Sequence, residues 1–104
     1  MRYVFNSAVI ARPGHYEYRL LTDFEADAWL RQGQFVSRVG NRHAAQYIED
    51  RFGVRCPHSR EPMTMMPGDE GLVVRLMYQP QTTAEKYFAR QAEKWEIGLL
   101  KRTA

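Results

Sequence analysis

The stretch from Gln34 to Gly53, QFVSRVGNRHAAQYIEDRFG, decides how the chain folds. Its opening, Gln34 to Val39, is a short β-prone run that breaks at Gly40-Asn41. From Asn41 onward Ala44, Ala45, Ile48 and Phe52 recur at helical spacing, and Gly53 ends the pattern as a glycine ends a helix. A strand that passes within a few residues into a capped amphipathic helix implies an α/β architecture. Asparagine is among the best N-caps, and the free amides and positive dipole end of the helix it opens form a ready anion site.

Upstream, Thr22 and Glu25 have the spacing of a capping box, and Phe24, Ala28 and Trp29 make an apolar stripe that closes near Gly33, so a first helix is expected there. Before it, Arg2 to Ile10 is β-rich. His15 to Leu21 alternates Tyr16, Tyr18 and Leu20 against Glu17 and Arg19, and with Pro13-Gly14 between the two runs they read as a hairpin. Downstream, Val54 to Pro67 carries three prolines and reads as a loop with a short strand at Met63 to Met66. Pro67-Gly68-Asp69 is a turn, and Gly71 to Tyr78, GLVVRLMY, is the most β-prone run in the chain and the expected central strand, with Arg75 standing out of it. Thr82 with Glu85 repeats the capping-box spacing and opens a third helix through Trp95, leaving Glu96 to Arg102 as a terminal segment. The expected fold is α/β: a mixed sheet with about three helices packed on it, in one domain spanning 1–104.

Composition narrows the classes. With 104 residues, 44% hydrophobic and 26% charged, the chain fits one soluble globular domain with one modest core. Burying a sizeable surface favours a partner subunit. The single cysteine, Cys56, excludes an internal disulfide framework, and with only His15, His43 and His58 beside it no zinc knuckle is expected. A reducing cytoplasm is the expected compartment, and no cofactor or metal is expected. Asn6 and Ser7 interrupt any signal-peptide apolar region, and no run of apolar residues is long enough to span a membrane. The net charge of +3 is carried largely by arginine, whose planar fork suits phosphate and carboxylate.

Several pieces line up with one family. FNSA near the N-terminus, HYEYRLLT leading into an acidic helix, VGN-RHAAQ opening the next, SREPMTMMPGDEGLVVRL, and the closing WEIGLLKR together resemble the small viral ring nucleases, the anti-CRISPR proteins that act on type III systems. The resemblance covers almost the whole chain. It implies a homodimer of mixed α/β fold that holds a cyclic oligoadenylate, usually cyclic tetraadenylate, across its two-fold axis. It also implies cleavage without metal, each ribose 2′-hydroxyl attacking its neighbouring phosphate. By resemblance the position after Gly40 holds a histidine serving as general acid; here it is Asn41, whose amide gives up no proton at neutral pH. General acid catalysis is worth roughly 10²–10⁴-fold, so sequestration or slow cutting of the messenger is expected. The alternative is a fully active ring nuclease with His43, or another residue, as acid. His43 lies two residues on, about 200° around a regular helix from Asn41.

The same resemblance assigns ligand contacts to Asn6, Ser7, Arg60 and Arg75; Gly40 and Arg42 at the helix start and Gln79 on the strand of Arg75 are further expected contacts. The residues themselves allow plainer roles. Asn41 alone reads as a helix cap, Asn6-Ser7 as a strand end or bulge, and Arg42 and Arg60 as surface cations. Arg75, inside an apolar strand, needs an anionic partner, and a ring phosphate is one candidate. Arg75, Met77 and Gln79 share a strand face. His15 and His58 read as surface or loop residues, the methionines and Trp29 and Trp95 as packing, and Cys56 as structural. A basic module for single-stranded nucleic acid is a further reading from another class, resting only on charge; no long nucleic acid is expected as partner.

Overall fold

The structure is a computed structural model and describes residues 1–7, 12–78 and 93–104. Its elements are β1 (Arg2–Phe5), β2 (Tyr16–Leu20), α1 (Asp23–Arg31), β3 (Val36–Arg38), α2 (Arg42–Phe52), β4 (Glu70–Tyr78) and β5 (Lys94–Arg102). The strands form one mixed sheet in the order β2-β5-β4-β1-β3. β1 runs parallel to β3 and β4, while β5 is antiparallel to β4 and β2. The chain is thus a small α/β domain, with two helices among the described residues.

Both helices end as their sequences dictate. The Thr22 hydroxyl accepts the Glu25 N–H at 3.1 Å and the Glu25 carboxylate accepts the Thr22 N–H at 3.1 Å, closing the capping box. Asn41 caps α2 by accepting the Ala44 N–H at 3.1 Å, and Gly53 stops it in the left-handed region at φ 67°. α2 buries the expected Ala44, Ala45, Ile48 and Phe52. The buried stripe of α1 is instead Ala26, Trp29 and Leu30; Phe24 is 83% exposed.

The helices lie on one face of the sheet, over Val4, Leu72, Val74, Ile97 and Leu99. On the other face Phe5, Val73 and Leu100 are covered by Met65, with Met63 beside it. Fully burying one such aliphatic side chain is worth about 1.5–3 kcal/mol, so the sheet interior carries most of the stability.

The expected hairpin does not form. β5 and β4 stand between β2 and β1, because β1 is apolar on both faces: Val4 joins the helix-side core and Phe5 the opposite one. A strand buried on both sides belongs in the sheet interior, and β1 finds two parallel partners there. β2 is an exposed edge strand, and the Pro13-Gly14 turn closes instead on the chain end, where the His15 N–H donates to the Ala104 carbonyl at 3.1 Å. Gly71 to Tyr78 is the central strand as expected, within β4.

Two further expectations are corrected. Met63 to Met66 forms no strand; Met65 plugs the lower core instead. The third helix, from Thr82, falls mostly on residues outside those described, but its expected end does not: Lys94 and Trp95 begin β5, and the terminal segment is a paired strand. Ile97 and Leu99 face the helices and Leu100 the opposite core, a period of two that a helix cannot satisfy.

Candidate ligand-binding cleft

Because β1, β3 and β4 are parallel, their carboxyl ends meet at one edge of the domain. Asn6-Ser7 leave β1 there, and Val39-Gly40-Asn41 lead from β3 into α2. In open α/β sheets the crevice beyond the carboxyl ends of the strands is where ligands bind.

Gly40 is held from three sides. The Asn6 side-chain oxygen accepts its N–H at 3.0 Å, and its carbonyl accepts from Arg60 Nε at 3.2 Å and from His58 Nε2 at 3.2 Å. The loop carrying His58 and Arg60 is itself laid along β3, through a parallel bridge of His58 to Val39 and the Ser59 N–H donating to the Val39 carbonyl at 2.9 Å. The end of β1, the start of α2 and this loop are thereby fixed to one peptide.

Around that peptide open two depressions that share Asn6. One, of about 270 Å³, is lined by Phe5, Asn6, Ser7, Arg38, Gly40, Ser59, Arg60 and Glu61. The other, of about 260 Å³, is lined by Asn6, Asn41, Ala44, Leu76 and Trp95. Together they offer two arginines and two serines on one side, a helix N-terminus in the middle and an aromatic wall on the other. The N–H groups of Arg42 and His43, ahead of the Ala44 N–H that Asn41 accepts, have no acceptor within the helix and complement an anion. Such a lining suits a phosphate joined to a flat, partly apolar group.

Of the residues singled out from the sequence, Asn6, Ser7, Gly40, Asn41 and Arg60 come together here. Arg42 is exposed on the first turn of α2 and lines neither depression. His43 is turned to a separate surface with Gln46 and Tyr47, its Nε2 2.7 Å from Glu93 Oε1 and its ring 5.7 Å from that of Trp95. Trp95 stacks on Tyr47 at 3.9 Å between ring centres and so forms the partition between His43 and the cleft. Arg75 lies on the sheet face away from the helices and donates to Glu96 Oε1 at 2.8 Å; its anionic partner is internal. Glu96 also accepts from the Tyr18 hydroxyl at 3.2 Å, and burial together with this carboxylate pushes the Tyr18 phenol upward. Gln79 lies outside the described residues.

Sequence reasoning passed over Arg38, His58 and Glu61. His58 is half-buried and bonded to the Gly40 carbonyl rather than a free loop residue. The signal for Arg38 was its place as the last residue of a strand running into the Gly40 turn, where α/β sheets collect their ligand residues. Cys56, as read, is structural: it is buried against the Ser37 hydroxyl at 3.4 Å, and burial pushes its thiol up. Among the described residues no group of His, Cys, Asp and Glu is placed to hold a metal ion, and no helix is long and apolar enough to cross a membrane.

Fold and cleft define a small α/β protein with an arginine-lined crevice at the ends of its parallel strands. The chain belongs to the STIV B116-like family, whose model matches residues 2–97. A protein of Bacillus subtilis (strain 168), the uncharacterized protein YddF, is 30% identical over 63 residues, which span 59% of this chain and 58% of that one. Among solved structures, B116 of Sulfolobus turreted icosahedral virus superposes with a TM-score of 0.70 at 15% identity, over 97% of this chain and 98% of that one. That similarity shows a shared fold, and the family takes its name from a viral protein.

Proposed function

We propose that this protein binds a cyclic oligonucleotide second messenger of antiviral defence, of the cyclic oligoadenylate kind, as a homodimer, and removes it by sequestration or slow metal-independent cleavage. The reading makes it a viral or mobile-element protein that antagonises type III CRISPR-like signalling. Its support is the cleft around Gly40, where a helix N-terminus, Arg38 and Arg60 surround a space with Asn6 and Ser7 at its edge. A two-fold symmetric ring matches an isologous dimer, since each protomer presents the same groups to half of the ligand.

The observation that favours holding over cutting is the bond of Asn41. Its side-chain oxygen is committed to the Ala44 N–H at 3.1 Å, so the residue at the position of the resemblance's acid is a cap with no proton to give. Orientation of a 2′-hydroxyl in line with its phosphate still accelerates cleavage without an acid, which accounts for a slow rate rather than none.

The test is incubation with excess cyclic tetraadenylate, following linear di-adenylate over many turnovers, beside calorimetry against cyclic di-, tri- and tetranucleotides. Tight stoichiometric binding with little product is expected. Rapid turnover abolished by His43→Ala would replace this reading with that of a competent ring nuclease, and salt-sensitive binding of single-stranded RNA with no preference for rings would overturn both.

A further inference from the structure

We infer that Arg38 is a phosphate-binding residue of the cleft, and that Glu61 holds its guanidinium in the ligand-free protein as an internal substitute for the phosphate. The inference rests on the reading of the cleft as a cyclic-nucleotide site and names a contact within it.

Arg38 is the last residue of β3 and pairs in register with Phe5, so it shares the sheet face of Phe5 and reaches the cleft beside Arg60. Its guanidinium is only partly satisfied. One terminal nitrogen donates to the Ser37 carbonyl at 2.9 Å, which anchors the fork against its own strand. The other meets Glu61 Oε2 at 3.3 Å, and Nε is buried with no hydrogen-bond partner among the described residues. A carboxylate met through one oxygen leaves unused the bidentate geometry that an arginine offers to a phosphate.

The two ends of this ion pair are unequal. The Arg38 side chain is 23% exposed and held by the strand, whereas that of Glu61 is 75% exposed on the loop after Ser59. Leaving Arg38 returns the Glu61 carboxylate to water at little cost, because an exposed pair contributes little. The Glu61 backbone has its own tether, its N–H donating to the Ser59 hydroxyl at 3.4 Å, so the side chain can swing without dismantling the wall of the cleft. Exchange of Glu61 for a phosphate replaces one negative charge by another, and Arg38 is never left bare.

Calorimetric titration with cyclic tetraadenylate at fixed salt tests this on four proteins: unaltered, Glu61→Gln, Arg38→Gln and the double variant, each checked for folding by thermal denaturation. Removing the competitor makes Glu61→Gln bind about fivefold tighter, the upper range for an exposed pair. Arg38→Gln binds roughly 10–100-fold weaker, as for loss of a charged hydrogen-bond donor. In the Arg38→Gln background the gain from Glu61→Gln disappears, which separates competition for Arg38 from a general loss of negative charge. If the unaltered protein binds the ring and Glu61→Gln binds no better, or Arg38→Gln binds equally well, the inference is overturned and the reading of the cleft stands. If the unaltered protein binds no ring, both are overturned.

Discussion

The Asn6 side chain accepts the backbone N–H of Gly40 at 3.0 Å, tying the end of the first strand to the start of the second helix across 34 residues of chain. With its oxygen so engaged, Asn6 has an amide NH₂ left for a ligand in either depression. Asn6→Asp keeps the acceptor and adds negative charge to the proposed anion site. It is expected to leave thermal stability nearly unchanged while weakening cyclic tetraadenylate binding at least tenfold. Asn6→Ala leaves the Gly40 N–H unpaired and costs about 1–3 kcal/mol as well. Melting and calorimetry on the two variants separate the roles; equal binding by Asn6→Asp would place the ligand elsewhere.

Asn41 supplies a second separation. Asn41→Ala removes the cap of α2 and is expected to cost about 0.5–2 kcal/mol. Asn41→His puts an imidazole at the helix start, where the resemblance calls for an acid, and is expected to raise the rate of ring cleavage by roughly 10²–10⁴-fold despite some loss of stability. Single-turnover product formation at neutral pH is the measurement, and a histidine variant no faster than the unaltered protein would remove this account of the proposed slow cleavage.

Two glycines should respond in opposite ways. A methyl at Gly71 would lie 2.2 Å from the Phe5 ring, which rests on the bare α-carbon within the lower core. Gly71→Ala is expected to cost about 1–3 kcal/mol through overpacking, read as a lower melting temperature. At Gly40 the nearest atom to an added methyl is Arg60 Cγ at 3.6 Å, an ordinary contact. Gly40→Ala is therefore expected to stay within about 0.5 kcal/mol in stability while obstructing the cleft and weakening ligand binding.

The capping box of α1 sets part of the acid response. The Thr22 N–H, and then Arg19, hold the Glu25 carboxyl below its usual value in the folded state. A carboxyl depressed on folding stabilises above its unfolded value and loses that contribution as pH falls through the folded one. Urea midpoints measured from neutral pH into the acid range should fall less steeply in Glu25→Gln, which starts lower at neutral pH; parallel profiles would show that Glu25 takes no part.

Burial raises the Cys56 thiol, so at neutral pH it stays protonated and shielded. Alkylation by iodoacetamide is expected to be slow in the native protein and to accelerate with denaturant in step with unfolding. Rapid native labelling would contradict the burial.

Some of this was legible in one dimension. The Thr22-Glu25 and Asn41-Gly53 boundaries of the helices and the run from Gly71 to Tyr78 were readable, and with them the turn at Gly40 about which the cleft is built. The pairing of β1 was not. Tyr16 to Leu20 alternates as a hairpin partner should, yet β1 needed cover on both faces and found it with β3 and β4. β5 was hidden because WEIGLLKR, with Gly98 in its middle, shows weak alternation; Gly98 is there to receive the Tyr18 ring, a neighbour from another strand. Arg38 and Glu61 stood out in no sequence pattern and His58 read as a surface or loop residue; the bridge from Val39 to His58 is what draws the loop of His58 and Glu61 along β3.

By itself, then, the amino-acid order determined where the two described helices begin and end and which strand is most apolar, because caps and periodicity satisfy groups only a few residues apart. Tertiary structure alone decided which strands became neighbours, and hence that Asn6, Arg38, Gly40 and Arg60 share one cleft while His43 faces Glu93 behind Trp95. The reason is that strand pairing spans the whole chain, and several arrangements satisfy each segment locally. Only burial of both faces of the sheet at once selects among them.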